Sequence, residues 1–296
     1  MTAPPPPIGR PELRQAGIAE LQLGNSGLML EGTSVAGVAT WLRVPQWGIA
    51  FDIGLAAEHS VRCAKLAITH AHMDHAGGLP SWLALRRMYK LGPSVVYAPA
   101  EACGDLQAIV AIWERLHSAQ FEWTLVAMEP GQEEPIGGGR RLRAFAADHV
   151  VPTLGYAVVA EITRLRSELE GLPRDTLRAM ADRGEPVALP EDRVVLAISG
   201  DTRPTLIARV PELRQAQFAM HELTFLDDRR SAQEARQKGH THLDELAEQL
   251  SDLQGVFLPY HLSQMYTAAG ARRALRHRLP AAQWARTLPL LPPSPG

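Results

Sequence analysis

The stretch 65–78, which reads KLAITHAHMDHAGG, decides how this chain is interpreted. It begins as an apolar, strand-like run and then places three imidazoles and one carboxylate within six residues. Side chains two apart on a strand share a face, so a strand that runs into a loop can direct His70 and His72 at one metal ion. Asp74 and His75 lie past the strand end, where a turning backbone can direct them at a second ion roughly 3.5–4 Å away. The run therefore predicts a two-metal site.

Four further apolar runs each end in a residue type that binds metals or moves protons. They are residues 143–148 before His149, 194–198 before Ser199-Gly200-Asp201, 217–220 before His221-Glu222, and 256–260 before His261. In α/β proteins, functional groups gather beyond the carboxyl ends of strands. Agreement among the four runs indicates that their ends meet at one site.

The residue types in these runs also restrict the metal. Imidazole nitrogen and carboxylate oxygen suit zinc, and iron or manganese accepts the same donors. A single histidine is more often a surface or core residue, but a cluster of this density favours metal binding over that alternative. We expect two Zn²⁺ ions, with Mn²⁺ or Fe²⁺ as the other candidates.

Length and composition fit one α/β domain. The chain has 296 residues, of which 46% are hydrophobic, enough for a large core. Strand-like runs alternate with amphipathic helical runs, which is typical of α/β folds. We expect an N-terminal extension at 1–20, a single domain at 21–287, and a proline-rich, poorly ordered tail at 288–296.

Several motifs resemble those of the metallo-β-lactamase superfamily and, within it, of ribonuclease Z (tRNase Z). Residues 70–75 match the superfamily motif, and later motifs follow in the tRNase Z order: SGDTRP at 199–204, ELTF at 222–225, GHTH at 239–242 and HLSQMY at 261–266. Segments 31–41, 51–54 and 239–243 are most similar to the short form of plants and cyanobacteria. The resemblance implies an αββα sandwich, with two mixed β-sheets face to face, helices outside and the metal site along one edge.

The resemblance also implies a role for each site residue. One zinc is bound by His70, His72 and His149, the other by Asp74, His75 and His261, and Asp201 bridges the two. A metal-bound hydroxide attacks phosphorus, and Asp74 is also a proton acceptor. Glu222 and His240 resemble the pair in which the acid orients and charges the ring, so that the ring protonates the departing 3′ oxygen. Residues of these two types also occur at such positions without a function, so their role is a hypothesis.

Two helices are predicted in the second half of the chain. One begins at His242 and continues through Leu243, Leu246, Leu250 and Leu253, which have helical spacing. The other lies in an insert at 161–193, where Leu165, Leu169 and Leu172 are roughly at helical spacing. Bacterial tRNase Z has a tRNA-gripping arm at this place, so the resemblance implies a reduced, helical insert that contacts tRNA or mediates dimer contacts.

The expected partners are precursor tRNA and, as in the family, a second copy of the chain in a homodimer. The net charge is −2, so RNA binding would depend on local basic groups. Two groups qualify, with ordinary solvated helix faces as an equal alternative: Arg86, Arg87 and Lys90, and Arg272, Arg273, Arg276, Arg278 and Arg286. A secretory signal and a membrane span are absent, and Cys63 and Cys103 lack disulfide or metal spacing, which predicts a cytoplasmic protein with no membrane partner.

Two functions of different class remain open. The first is a zinc-dependent endoribonuclease that removes the 3′ trailer of precursor tRNA by cutting after the discriminator base. The second is a small-molecule phosphodiesterase, or a lactone or thioester hydrolase, that has lost RNA binding. Leu262 and Met265 stand where the family usually has phenylalanine and arginine, which removes an expected phosphate contact. Glu222 and His240 together favour the nuclease, because the leaving oxygen of a phosphodiester needs a proton.

Overall fold

The computed structural model describes residues 12–14, 18–23 and 27–291, and two β-sheets lie at its centre. The first sheet contains, in order across it, β1 (Glu12–Arg14), β2 (Ile18–Leu23), β3 (Leu28–Ala36), β4 (Ala39–Val44), β5 (Ile49–Phe51), β6 (Lys65–Ala67), β7 (Ser94–Pro99) and β8 (Trp123–Met128). Strands β1 to β5 pair in antiparallel fashion, and β5 to β8 pair in parallel.

The second sheet is also mixed. Its strands are β9 (Glu133–Gly137), β10 (Arg140–Ala146), β11 (Leu154–Leu165), β12 (Ala188–Ile198), β13 (Phe218–Glu222) and β14 (Val256–Tyr260). Strands β9 to β12 are antiparallel, and β12 to β14 are parallel. A short strand, β15 (Leu262–Ser263), leaves the end of this sheet and pairs in parallel with β3 of the first. The two sheets are therefore joined at the end where β14 finishes.

Helices cover the outer face of each sheet. The helices in the described part of the chain are α1 (Glu58–Val61), α2 (Met73–Ala76), α3 (Leu79–Met88), α4 (Ala100–His117), α5 (Arg174–Asp182), α6 (Leu206–Arg209), α7 (Pro211–Gln215), α8 (Ala232–Gln237), α9 (Leu243–Leu246), α10 (Ala268–Arg278) and α11 (Ala281–Trp284). Helix α5 lies in the insert and has no buried residue. One apolar cluster fills the space between the sheets, with Phe51 and Tyr156 among its buried side chains. Trp82 of α3 belongs to a second cluster against the first sheet, and Leu275 of α10 belongs to a third against the other sheet. The predicted αββα sandwich is confirmed.

No helix in the part of the chain described is long and apolar enough to cross a membrane.

The histidine-rich loop after β6 is fixed to the opposite sheet. The Tyr156 hydroxyl donates to the Ile68 carbonyl at 2.9 Å, and the Leu154 N–H donates to the Thr69 carbonyl at 2.9 Å. Both donors belong to β11, and both acceptors immediately precede His70. Buried polar groups must be paired, so these bonds specify where the loop crosses between the sheets.

The insert is mainly an extension of two strands, which corrects the predicted helix through Leu165, Leu169 and Leu172. Strands β11 and β12 remain paired as far as Leu165 and Ala188, and the helix in this segment is α5, further along the chain. The residues before Leu165 include β-branched Ile162 and Thr163, which favour a pleated strand over a helix.

The chain ends differ from the predicted boundaries. Strands β1 and β2 belong to the first sheet, so the ordered domain begins before residue 21, while residues 1–11 lie outside the described part. At the other end, the Leu288 N–H donates to the Phe257 carbonyl at 2.8 Å, and the Leu290 N–H donates to the Pro259 carbonyl at 2.9 Å. Both leucines are buried. Proline is tolerated here because the segment lies along an edge, and the alternating leucines supply the donors. The predicted disorder is therefore wrong for residues 288–291, and residues 292–296 lie outside the described part.

The helix predicted after His242 is present but short. His242 is the N-cap of α9, where its ring nitrogen accepts from the Asp244 N–H at 3.2 Å. A 3-10 turn at Gln249–Asp252 follows, and the four leucines of the predicted pattern are all buried.

Candidate metal centre

The predicted ligands converge at one edge of the sandwich. The loop after β6 and α2 supply His70, His72, Asp74 and His75, and the segments after β10, β12 and β14 supply His149, Asp201 and His261. Their donor atoms form two neighbouring groups, each with all atoms within 4.8 Å of one another: His70, His72, His149 and Asp201 in one, and Asp74, His75 and His261 in the other. The strand ends thus meet as the sequence indicated.

The first group has the spacing of a tetrahedral metal site. His72 Nδ1 lies 3.1 Å from His70 Nε2 and 3.3 Å from His149 Nε2. Nitrogen ligands roughly 2.0–2.1 Å from a tetrahedral zinc are about 3.3 Å from one another. These nitrogens are therefore separated as ligands of one ion would be.

The second group shows the same convergence. His75 Nε2 lies 3.0 Å from His261 Nε2, and Asp74 Oδ2 lies 3.4 Å from that His261 nitrogen. Asp74 is only partly buried, whereas both rings are fully buried. Two nitrogens and one carboxylate oxygen thus face a common point beside the first group.

Asp201 lies between the two groups. Its Oδ2 is 3.8 Å from His70 Nε2 and 3.5 Å from His75 Nε2, so one carboxylate reaches a ring in each. Its Oδ1 is buried, makes no hydrogen bond among the described residues, and lies 3.4 Å from His261 Nδ1. A buried carboxylate oxygen without a hydrogen bond is costly unless a cation or donor satisfies it. The donor set therefore fits two metal ions that share Asp201.

The ring nitrogens that face away from the cluster are also held. His75 Nδ1 lies 2.8 Å from Asp52 Oδ2, and His149 Nδ1 lies 2.8 Å from the Gly239 carbonyl. Each acceptor requires N–H on that side of the ring, so in the neutral ring, the form that binds a metal, Nε2 has its lone pair toward the cluster. Partners of this kind orient metal-binding histidines and tune their affinity.

Two threonines complete this outer layer. Thr69 Oγ1 lies 3.0 Å from His70 Nδ1 and donates to Asp52 at 3.0 Å. Thr224 Oγ1 lies 3.2 Å from His261 Nδ1 and donates to a carboxylate oxygen of Glu222 at 2.9 Å. In each case one hydroxyl connects an acid to a histidine of the cluster.

Sequence reasoning did not identify this outer layer. Asp52 follows β5 in the left-handed region at φ 56°, and an aspartate at a strand end was the available signal. Gly239 has φ +78°, and a Cβ there would lie 2.5 Å from His149 Nδ1, so glycine is required for this close approach. Asp52, Thr224 and Gly239 stand in the motifs at 51–54, 222–225 and 239–242, but the sequence alone assigned none of them a role.

The histidines of the first group are held in the neutral form. Burial lowers the pKa of His70, His72 and His149 below the usual value. A neutral imidazole has a lone pair for a metal ion, whereas a protonated ring has none. Their environment therefore favours the ligand form.

The carboxylates are held in the ionised form. Burial alone would raise the pKa of Asp201 and Asp74, but neighbouring histidines outweigh it and keep both well below the usual range. Burial would also lower the pKa of His75, yet the charges of Asp201 and Asp52 raise it to about 9. Positive charge is thus favoured beside these acids. The fold and the histidine–aspartate cluster together indicate a divalent metal site.

Glu222 and His240 lie together at the side of this cluster. His240 Nδ1 is 3.3 Å from Glu222 Oε1 and 3.8 Å from Asp201 Oδ2. Glu222 is fully buried and accepts from the backbone N–H groups of Thr241 at 2.8 Å and Thr224 at 3.0 Å. Burial lowers the pKa of His240, but the Glu222 carboxylate outweighs it and raises the pKa above the usual value. The pair can hold a proton on a ring that borders the cluster.

Comparison with known proteins agrees with this geometry. The Beta-lactamase superfamily domain matches residues 57–262, and tRNase Z TRZ1 of Arabidopsis thaliana is 30% identical over 248 residues, which are 81% of this chain and 87% of that protein. The chain belongs to the tRNase Z family. Chloroplastic tRNase Z TRZ2 of the same plant is 28% identical over 88% of this chain and 74% of that protein. The short form of human tRNase Z shares the fold, with a TM-score of 0.55 at 18% identity over 85% of this chain and 94% of that one.

In this tRNase Z chain, part of each predicted basic group has a structural task. Arg86 is buried and donates to backbone carbonyl groups, as does Arg286. Arg278 pairs with Asp228 and Asp244 at 3.1 and 2.6 Å. Arginines whose donors are used in this way contribute less to phosphate binding than exposed ones, so neither group is intact as an RNA surface.

Proposed function

We propose that this chain is a zinc-dependent endoribonuclease that removes the 3′ trailer from precursor tRNA. The observation that carries the proposal is the Glu222–His240 pair beside two ligand groups that share Asp201. A phosphodiester with a poor leaving group needs both activated water and a proton donor, and this edge of the sandwich has residues for each task. The relatives named tRNase Z support RNA as the substrate.

The metal assignment follows the ligand geometry. His70, His72 and His149 would hold one zinc, Asp74, His75 and His261 the other, and Asp201 would contact both. Bound zinc ions supply activated water and positive charge for the phosphoryl oxygens. The outer layer of Asp52, Thr69, Thr224 and the Gly239 carbonyl would keep each ring in the ligand orientation.

Asp74 is proposed as the proton acceptor. Its Oδ2 accepts from the Gly37 N–H at 2.7 Å and faces His261, so this oxygen is occupied. Within the described residues Oδ1 makes no hydrogen bond, and the side chain is partly exposed to solvent. An ionised oxygen at the solvent side of the cluster can take a proton from the attacking water.

His240 is proposed as the proton donor to the departing 3′ oxygen. The Glu222 carboxylate stabilises the charged ring at 3.3 Å, and Glu222 is itself fixed by backbone N–H groups. His240 borders the cluster and is partly exposed, so substrate can reach it.

We also propose a homodimer in a reducing, cytoplasmic compartment. Helix α4 exposes Ile109, Ile112, Trp113 and Leu116, which have the i, i+3, i+4, i+7 spacing of one helix face. An exposed apolar face of this kind is typical of an interaction surface. Both cysteines are free, which agrees with a reducing compartment. Sedimentation velocity of the protein and of the Ile112→Glu variant tests the dimer.

The function is tested by incubating zinc-loaded protein with end-labelled precursor tRNA and with bis-p-nitrophenyl phosphate, and by mapping any cut to the nucleotide. The expected result is one cut after the discriminator base, lost on chelation and restored by zinc, with about two zinc ions per chain by mass spectrometry. Turnover of the small diester with intact tRNA would instead make the protein a small-molecule phosphodiesterase.

A further inference from the structure

A cavity adjoins the metal centre on the side of His240. Its volume is about 370 Å³, within the range of roughly 300–1,000 Å³ that small-ligand sites occupy. Thr224 and His240 form part of its wall, so it opens directly beside the proposed proton donor. Gly37, whose N–H donates to Asp74, also lines it and connects it to the metal ligands.

The charged groups in this cavity have one sign. Lys238 and Arg230 line it, and no carboxylate is among the lining residues that the structure describes. Within the described part of the chain, no ion pair involves Lys238, and Arg230 pairs only with Glu234 at 3.3 Å in a solvent-exposed contact. An exposed pair of this type is weak and is readily exchanged for a phosphate. The cavity is therefore suited to an anion.

The backbone that carries these cations is held in a defined position. Helix α8 begins with a capping box, in which Ser231 and Glu234 satisfy each other's backbone N–H groups. Its other end is fixed because the His240 N–H donates to the Ala235 carbonyl at 2.9 Å. Lys238 is two residues before His240, so the backbone position of Lys238 is set relative to the proton donor.

The remaining wall is apolar. Phe225 and Met265 line the cavity, and the Phe225 ring lies edge-on to His240 with centroids 6.5 Å apart. Bases of single-stranded nucleic acid pack on apolar and aromatic side chains, while lysine and arginine bind the backbone phosphates. A cavity lined by both apolar side chains and two cations matches a nucleotide better than it matches an isolated phosphate.

We propose that this cavity binds the nucleotide on the 5′ side of the cut, with the 5′-phosphate of that nucleotide between Lys238 and Arg230. The inference rests on the proposed function, in which His240 protonates the departing 3′ oxygen. That oxygen belongs to the last nucleotide of the tRNA product, so its ribose must lie at His240 and its base and 5′-phosphate beyond it. The trailer, which carries the scissile phosphate, lies on the metal side.

The smallest probe of this site is adenosine 5′-monophosphate, which has a base, a 5′-phosphate and a free 3′ hydroxyl. Its dissociation constant is measured by calorimetry on zinc-loaded wild-type protein and on the Lys238→Gln and Arg230→Gln variants, with adenosine 3′-monophosphate and inorganic phosphate for comparison. Arg115→Gln is the matched control, because Arg115 is also exposed but lies on α4 against the other sheet. We expect about tenfold weaker binding of the 5′-monophosphate in each cavity variant, as for loss of one charged hydrogen bond, and no change in the control. Inorganic phosphate bound at the metal ions should be unaffected in all of them.

Equal affinity of wild type and Lys238→Gln for the 5′-monophosphate would overturn the proposal. So would an equal loss of affinity for the 3′-monophosphate in that variant, because this ligand has no 5′-phosphate for Lys238 to contact. This readout is independent of cleavage, so it remains decisive for the cavity even if precursor tRNA is not cut, in which case the proposed function fails separately.

A double-mutant cycle with precursor tRNA provides a second test, in which one change is made in the protein and the other in the RNA. A methylphosphonate replaces the phosphate before the last nucleotide of the product, which removes the charge that Lys238 would contact. We expect the methylphosphonate and Lys238→Gln each to lower kcat/KM about tenfold, and the two together to lower it little further, because they remove the same contact. Losses that multiply would mean that this phosphate lies elsewhere. Turnover of bis-p-nitrophenyl phosphate, which has no second phosphate for Lys238 to contact, should fall far less in Lys238→Gln than cleavage of precursor tRNA.

Discussion

Thr224 Oγ1 donates a hydrogen bond to Glu222 Oε2 at 2.9 Å. Thr224 Oγ1 also lies 3.2 Å from His261 Nδ1, so this hydroxyl connects the proposed proton-donor pair to a proposed zinc ligand. The hydroxyl has one proton, which the carboxylate must receive because an ionised carboxylate only accepts. Thr224 therefore accepts from His261, which leaves Nε2 of that ring free for metal.

Replacing Thr224 by valine is expected to lower kcat and zinc affinity about 10- to 100-fold, because the shape is kept while both contacts are lost. Thr224→Ser retains the hydroxyl and should recover most of both. Zinc affinity by competition with a chelator and kcat on precursor tRNA are the measurements. If Thr224→Val and Thr224→Ser have the same kcat and the same zinc affinity, the hydroxyl supports neither proton donation nor zinc binding.

Asp52→Asn tests the support of His75. Asp52 accepts from the Thr69 N–H at 2.7 Å and from His75 Nδ1 at 2.8 Å. Asparagine tolerates the left-handed backbone at φ 56° but has one acceptor oxygen in place of two. Zinc affinity should fall about 10- to 100-fold, with the exposed Asp105→Asn as the control. Unchanged zinc affinity would show that His75 does not depend on this acid.

The cluster itself could be predicted from the sequence because its residues are dense and periodic. His70 and His72 are two apart after a strand, and His149 and His261 end apolar runs, so local geometry already places them at one edge. The pairing of Leu288 and Leu290 with β14 could not be predicted, because it depends on a strand far away in the chain and the local composition is typical of disorder.

Leu290→Ala tests that C-terminal segment. Leu290 is fully buried in the core between the sheets, so truncation should cost about 2–5 kcal/mol of unfolding free energy. Leu189→Ala, at a site 54% exposed, should cost far less and serves as the control. Urea unfolding measures both. Equal and small effects would mean that the segment does not pack in solution.

Gly239→Ala combines backbone strain with a contact at the site. At φ +78° alanine should cost about 1 kcal/mol or more, and its Cβ would meet His149 Nδ1 at 2.5 Å. Gly184 has the same φ with open space around it, so Gly184→Ala measures the strain alone. Zinc affinity should fall only in Gly239→Ala. An equal loss of stability in both variants, with zinc affinity retained, would show that His149 can move without consequence.

His240→Ala separates proton donation from metal chemistry through the leaving group. The ring should raise the cleavage rate about 10²- to 10⁴-fold when the leaving group is the 3′ oxygen of a ribose, because that oxygen is a strong base and needs a proton. A p-nitrophenolate departs without one, so turnover of bis-p-nitrophenyl phosphate should fall much less. Glu222→Gln should show the same selectivity in weaker form, because it removes the charge that stabilises the protonated ring at 3.3 Å. Parallel losses on both substrates, with zinc content unchanged, would remove His240 from the role of proton donor and assign it to substrate positioning.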